Sequence, residues 1–425
     1  MSAAASSVQV AAAFSSLALT VGLAIARPRI RRFQITPAMA AAMGVVLMLI
    51  VGAVRPADVG EAAADLWRPF ATVAAIMVLT AAARRLGVLD RLAPLTVARA
   101  HGSAERHFAL VFVMSAVTAA ALNNDAAILL LTPLVVLHVR DVYDDPRMQV
   151  PFAFAVYMAA GVAPFVVSNP MNFIVAELVG IGFNEYAAQM LPIAIAGWIV
   201  SFLVLRLVVR RQLRQGQASM RTVDRADSGW TRPQLEALGV LSIVLIAYPI
   251  ASFFDQPIWG VAVAGAALAL WVCRRHGAGK PLEILRTNVS WDTLGFLLGV
   301  LVLAFGLRNV GFVEQLSDFY EHASIWTVGF VSAIGSAIVN NHPMALINLL
   351  AIGGTVSPTK KEYLAALIGG DLGPRLAPIG SLAGLLWYAS LRALGVHVPV
   401  TQFMRVGVIV TVPSIAVSLL ILAVF

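Results

Sequence analysis

The sequence predicts an all-α polytopic membrane protein. It is read as two inverted-topology repeats, each with a broken helix and a re-entrant hairpin, and about 10 membrane-spanning segments besides the hairpins. Three observations carry this. Hydrophobic residues make up 60% of the 425-residue chain and charged residues only 12%, against about 25% charged in a soluble domain. The apolar runs are long enough to cross the hydrocarbon, which takes ~20 residues, and they are continuous rather than alternating, which argues against a β-barrel. Finally, a cluster of polar residues appears twice inside this apolar background. Leu122-Asn123-Asn124-Asp125 leads through an apolar run to Thr132-Pro133, and a relative returns at Val339-Asn340-Asn341-His342-Pro343. An unpaired polar group in an apolar medium costs roughly 2–7 kcal/mol, so a sequence that places such a cluster twice is using it.

The first half reads as follows. Spans are expected at about 8–26, 37–54 and 67–83. The first is followed by Arg27, Arg29, Arg31 and Arg32 rather than by a cleavage site, so it is read as a retained membrane helix. That arginine-rich loop should be cytoplasmic. The loop 55–66 mixes Arg55 with Asp58, Glu61 and Asp65 and fits the outer side, and the loop 84–107 is basic and cytoplasmic again. Residues 108–122 and 126–139 then form a helix broken at the Asn-Asn-Asp cluster, with Pro133 freeing backbone carbonyls that must find partners. The stretch 151–177, interrupted by Ala163-Pro164 and Ser168-Asn169-Pro170-Met171-Asn172, is expected to be the re-entrant hairpin, and 191–209 an ordinary span. This first repeat covers 1–209, and 210–232, with Arg210, Arg211, Arg214, Arg221, Arg225 and Arg232, is a cytoplasmic linker.

The second repeat covers 233–425, with spans at about 235–253, 257–273, 290–307 and 403–424. The basic loop 274–286 places one end in the cytoplasm, and the acidic 308–323 places the other outside. Helix 324–339 therefore approaches Asn340-Asn341 from the face opposite to that from which 108–122 approaches Asn123-Asn124, the signature of an inverted repeat. The segment 361–395, with Asp371, Arg375, Pro378 and Ser381, is read as the second hairpin.

Composition limits the function classes. The net charge of +8 lies in short loops, so it follows the positive-inside rule and calls for no nucleic acid. The lone Cys273 builds no disulfide, zinc or iron–sulfur site. Walker-type glycine loops, His-Glu-x-x-His and nucleophile elbows are absent, so no cofactor is called for and the chain reads as a secondary transporter, not an enzyme.

Asp125 leads the candidate residues, because an ionisable group inside a span is a functional hypothesis by default. Such a carboxylate could carry a proton during transport. It could equally cap the second half of a broken helix, where the dipole favours negative charge. Asn123, Asn124, Asn340 and Asn341 offer uncharged donors and acceptors suited to a small neutral solute or an ion, or to bonding the backbone freed at the breaks. His342 stands where Asp125 stands in the first half, as a second proton-coupling group or a packed imidazole. Thr132, Ser168, Asn169, Asn172 and Ser381 complete the expected solute pocket. Asp371 and Arg375 read as structural, pairing with each other or capping the hairpin ends.

At these residues the chain resembles the ArsB family of arsenite efflux permeases, of the ion transporter superfamily. The matching stretches are Asn124-Asp125-Ala126-Ala127 through Thr132-Pro133, Val167-Ser168-Asn169 with Asn172, and Gly182-Phe183-Asn184-Glu185-Tyr186-Ala187. The Asn340-Asn341 pair also matches, as does Asp371-Leu372-Gly373-Pro374-Arg375 through Pro378-Ile379-Gly380-Ser381 to Trp387, the most specific of them. His342 and Pro170 depart from the family pattern. The resemblance implies a multi-pass inner-membrane protein that exports arsenite and antimonite, uncharged trihydroxides at neutral pH, in exchange for protons. A neutral trihydroxide needs hydrogen-bond donors and acceptors rather than thiolates. The resemblance also admits an ArsA-type ATPase, on which some members dock, and a homodimer. The competing readings are a sodium-coupled dicarboxylate or citrate importer, a sodium/proton antiporter of the same superfamily, and a membrane-embedded enzyme.

Overall fold

The computed structural model describes residues 6–30, 33–217 and 229–425. Arg31, Arg32, Arg221 and Arg225, counted above among the loop charges, lie outside the described residues. The described chain is helical, apart from a two-residue ladder pairing Arg29–Ile30 (β1) with Phe33–Gln34 (β2).

Helices α1 (Ser7–Ala26) and α2 (Pro37–Ile50) pack side by side and lead into α3 (Pro56–Arg85). The expected loop 55–66 is in fact the first turns of α3. Pro56 begins the helix, where its missing N–H costs nothing, and the Asp58 carboxylate accepts the Arg55 N–H at 2.8 Å. The expected loop 84–107 likewise contains a helix, α4 (Val88–Ala100), which buries Leu89, Ala93, Thr96 and Ala100 along one face. Counting charges found the polar face of this amphipathic segment and missed the apolar one.

Next come α5 (Ala104–Ala121) and α6 (Asn124–Val142), and here the structure exchanges two expected roles. The imidazole centroids of His107 and His138 lie 6.3 Å apart. In a through-going helix those residues would be separated by roughly 45 Å. So α5 and α6 are the antiparallel arms of a hairpin, with Asn123 at its tip. The expected hairpin 151–177 is instead an interrupted span: α7 (Gln149–Ala159) and α8 (Pro170–Val179) meet through an irregular segment and pack on different neighbours, α7 on α5, α6 and α9 (Phe183–Gly216), α8 on α3.

The second half repeats the order. After α10 (Arg232–Phe253), α11 (Ile258–Arg275) and the short α12 (Pro281–Asn288) come the span α13 (Trp291–Asn309) and the short α14 (Phe312–Glu321). Helices α15 (Ile325–Val339) and α16 (Asn341–Gly353) form the second hairpin, since Asn348 Nδ2 donates to Ser332 Oγ at 2.9 Å, eight residues from Asn340 on either side. The interrupted span is α17 (Lys360–Leu372) and α18 (Leu382–Ala393), joined by two 3-10 turns, and α19 (Val400–Val424) closes the chain. The expected hairpin 361–395 is therefore also a broken crossing, while each repeat keeps one hairpin and one broken helix.

The inversion follows from how α3 meets α13. Asn309 Nδ2 at the end of α13 donates to Asp58 at the start of α3 (3.1 Å), and Arg85 Nε at the end of α3 donates to Asn288 just before α13 (3.2 Å), so the two run antiparallel. Each is followed by a short amphipathic helix and then a hairpin, so the two hairpins rise from opposite ends of the bundle. The first starts from the arginine-rich end, the second from the acidic end. Among the described residues, eight helices are long and apolar enough to cross a membrane. Of these, α5 doubles back as a hairpin arm, and α2 and the two interrupted spans add crossings.

Small residues fix the second hairpin in place. A Cβ on Gly369 of α17 would lie 2.1 Å from the Gly329 carbonyl oxygen of α15, so these backbones touch. On the same contact, Ser332 Oγ donates to the Ala366 carbonyl at 2.6 Å.

Candidate functional site

All four breaks present a helix N-terminus at the centre of the molecule, and each carries its own side-chain cap. Asn123 Oδ1 accepts from the N–H groups of Asp125 and Ala126 (2.8 and 3.2 Å) at the start of α6. Asn169 Oδ1 accepts from Met171 (3.1 Å) at α8, Asn340 Oδ1 from His342 (3.3 Å) at α16, and Ser381 Oγ from Gly384 (3.0 Å) at α18. Asn, Ser, Thr and Asp are the residues that satisfy a helix start. Asn340 does this from a backbone φ of 79°, a region that costs a non-glycine residue about 1–3 kcal/mol and clusters at functional sites.

The interruption of the first crossing is repaired by the second repeat. Asp371 accepts the Ala163 N–H (2.9 Å), Asn172 Nδ2 (2.9 Å) and Asn169 Nδ2 (2.6 Å). Arg375, 2% exposed, donates to the Met158 carbonyl and to Ser201 Oγ. Asn124 Nδ2 donates to the Gly161 carbonyl at 2.9 Å. The groups freed where α7 ends are thus met by an aspartate, an arginine and an amide. Two tyrosines complete the brace: Tyr186 Oη donates to the Ala163 carbonyl (3.1 Å), and Tyr157 Oη to the Pro374 carbonyl (3.2 Å). The sequence reading gave neither tyrosine a role, although Tyr186 lies in one of the matching stretches; their signal was a phenol within an apolar run, which needs a partner when buried.

Two cavities meet at this centre. The smaller, about 20 Å³, is lined by Asn124, Asp125, Tyr157, Asn169, Asn341, Asp371, Arg375 and Ser381. It has room for about one water molecule. The larger, about 340 Å³, lies toward the arginine-rich end and is bordered by Asn123, Asp125, His342, Thr80, Asp292 and Arg84. Asp125 borders both. Among the described residues nothing donates a hydrogen bond or forms an ion pair with its carboxylate, in contrast to the saturated Asp371. Asn341 Oδ1 is buried without a donor.

The expected residues divide accordingly. Asn124, Asn169, Asn341, Ser381 and Asp125 line the small cavity, and Asn123 and His342 line the larger one. Asn172 bonds Asp371 and Tyr186 behind the wall. Asn340 turns the second tip. Thr132 and Ser168 line neither cavity. Thr132 Oγ1 donates to the Ile128 carbonyl within its own helix (2.6 Å), and Ser168 Oγ donates to the Ala120 carbonyl (2.7 Å), tying the broken crossing to the first hairpin.

Comparisons with known proteins bear on the family and the fold. The model of a family described as arsenical pump membrane protein, ArsB, matches residues 12–425. The "Arsenical pump membrane protein" of Escherichia coli (strain K12) is 31% identical over 405 residues, covering 90% of this chain and 92% of that one. The protein of the same name from Yersinia enterocolitica is 30% identical over 431 residues, covering 96% and 97%. Among solved structures, the Alcanivorax borkumensis YdaH transporter, described as having an unusual topology, superposes with a TM-score of 0.55 at 15% identity over 98% of this chain and 97% of that chain. That likeness is one of fold.

Proposed function

This chain belongs to the arsenical pump membrane protein family, and from that premise we propose that it exports uncharged trivalent arsenic and antimony trihydroxides in exchange for protons. The observation that carries the proposal is Asp125: a carboxylate with no hydrogen-bond or ion-pair partner among the described residues, held between a tight polar cavity and a wider one open toward the arginine-rich end.

The chemistry of the lining supports exchange. An ionised carboxylate only accepts hydrogen bonds, whereas a protonated one spends an oxygen holding its proton. A hydroxyl of the trihydroxide donates to Asp125 when that group is ionised, and a proton on Asp125 competes for the same lone pairs. Asn341 Oδ1 accepts a second hydroxyl, and Ser381 and Asn124 border the same space. Competition between solute and proton for one group is what an antiporter requires. The small cavity admits about one water, so a four-heavy-atom solute enters through the wider one and is enclosed as the hairpin tips part and close. The lone cysteine, Cys273, is buried on α11 and borders neither cavity, so capture is by oxygen and nitrogen groups.

The Arg375 guanidinium on the same cavity favours a second reading, a dicarboxylate carrier. Against it, that arginine is already bonded to Met158 and Ser201, and two aspartates share the space.

One assay separates the readings. Everted membrane vesicles containing the protein should accumulate arsenite when their interior is acidified, without sodium, and should ignore citrate. Asp125→Asn should reduce that uptake to background while the purified protein keeps its unfolding transition. Sodium-dependent uptake, citrate uptake, or full proton-driven uptake by Asp125→Asn would defeat the proposal.

A further inference from the structure

A third cavity lies apart from the two at the centre. A groove of about 360 Å³ runs between α4, α5 and α10 at the arginine-rich end, lined by Leu92, Leu110, Val113, Met114 and Leu241, with Arg99 on its rim. The two hydroxyls in its wall are already satisfied: Thr96 donates to the Ala93 carbonyl (2.6 Å) and Thr118 to the Met114 carbonyl (2.8 Å). The walls therefore place no hydrogen-bonding demand on an occupant. Val113 and Val117 are 57% and 58% exposed, and on a membrane helix such exposure faces lipid tails. Arg99 is exposed and forms no ion pair with a carboxylate among the described residues.

We propose that this groove holds one acyl chain of an anionic phospholipid, with the headgroup phosphate on Arg99. The apolar walls select a hydrocarbon tail, and the unpaired guanidinium selects the charge of the head. The other end of the molecule supplies a contrast. The counterpart of α4 in the second repeat is α14, which carries Glu314, Asp318 and Glu321 and no basic residue, so it would repel the same head. The groove also reaches the first hairpin tip. Its inner end is Leu122, whose neighbour Asn123 caps α6 at the first hairpin tip. A tail seated there lies between the hairpin and α10, and any displacement of the hairpin changes the shape of its seat.

The test is photolabelling of the purified protein in phosphatidylcholine vesicles carrying a trace of either tail-diazirine phosphatidylglycerol or tail-diazirine phosphatidylcholine. The phosphatidylglycerol probe should label peptides of α4, α5 and α10 in preference to the phosphatidylcholine probe. A basic side chain near an anionic headgroup is worth about a fivefold preference, and Arg99→Gln should remove it. Val113→Trp, at a site already facing lipid, should fill the groove and abolish that labelling, whereas Ile195→Trp, also exposed (45%) on α9 but outside the groove, should leave it unchanged. Labelling spread evenly over lipid-facing helices, no preference for the anionic probe, or undiminished groove labelling in Val113→Trp would overturn the proposal. The readout is binding, so it stands or falls independently of the cargo.

Discussion

Asp371 provides the sharpest test of how the interrupted crossing is held together. Its carboxylate takes three donors, the Ala163 N–H and the amides of Asn169 and Asn172, at 2.9, 2.6 and 2.9 Å. A hydrogen bond to a charged group contributes about 1.5–3 kcal/mol, and buried donors left bare cost about 1–3 kcal/mol each. The three share one acceptor and do not add, so Asp371→Ala should cost about 3–5 kcal/mol, the range for stripping one partner from a buried charged cluster. Asp371→Asn should cost less, about 1–3 kcal/mol. It can keep an oxygen where Ala163 and Asn172 donate but then turns an NH2 toward Asn169. Asn169 cannot flip to meet it without giving up the cap on Met171. The assay is amide hydrogen exchange over residues 160–169, with denaturant unfolding as the global control. At 1.36 kcal/mol per decade, exchange there should rise roughly two to four decades in the alanine variant. Unchanged exchange in that segment, together with lost transport, would refute the bracing role and make Asp371 a cargo or proton group.

Three further outcomes follow from the same geometry. Cys273→Ser should leave arsenite uptake within about twofold of the parent, because the thiol borders neither central cavity; a dead variant would mean that sulfur captures the cargo. Gly407→Ala would place its Cβ 1.9 Å from the Arg375 carbonyl oxygen, so unfolding midpoints should fall by the equivalent of about 1–3 kcal/mol of overpacking, and a neutral result would show that α19 does not press on that turn. In the surface helix α12, the Glu283 carboxyl is held below its ordinary range by the hydrogen bond from Arg85 at 3.0 Å. Its contribution is present above the usual carboxylate titration and lost as pH falls through the lowered value. Exchange protection of 281–288, corrected for intrinsic rates, should weaken only in acid and become insensitive there in Glu283→Gln.

The sequence located the breaks but could not say which way the chain leaves them. Asn123, Asn169, Asn340 and Ser381 all stand where a helix restarts, as their capping chemistry announces. Whether the next helix continues across or turns back depends on contacts far from the break. For the first cluster those are His107 meeting His138 and Tyr143, and for the second, Asn348 meeting Ser332. Neither pairing leaves a local trace, which is why hairpin and broken crossing were exchanged in both repeats. One signal was available. The two arms around Asn123 are of nearly equal length, 18 and 19 residues, and the amphipathic α4 just before them lies along the arginine-rich end, so a chain that starts there and needs two arms can return there. Asp371 and Arg375 read from the sequence as pairing with each other or capping the hairpin ends; among the described residues they form no ion pair, and the partners they do have, from Met158 and Ala163 to Asn169, Asn172 and Ser201, could be found only in three dimensions.

The convergence of four helix N-termini would ordinarily point to an anion, because bare N–H groups and the positive end of the dipole make an anion site. Here the ends are not bare. Each is answered by a side-chain oxygen of Asn123, Asn169, Asn340 or Ser381, and prolines at positions 170 and 343 remove an N–H from two of them. The α6 terminus also carries its own negative group, Asp125, in the first turn. The small cavity therefore sets two carboxylates against one guanidinium that is already bonded to Met158 and Ser201. A second anion entering that space would lose its hydration and meet uncompensated negative charge, whereas a neutral trihydroxide brings hydroxyls to oxygens that lack donors, Asn341 Oδ1 and the Asp125 carboxylate. The same feature that makes the centre poor for an anion makes it sensitive to a single proton, since protonating Asp125 removes the strongest acceptor the solute could find. Under the proposed function cargo selection and coupling would not be separate devices: both would reside in Asp125, a carboxylate at the centre of the bundle to which nothing among the described residues donates.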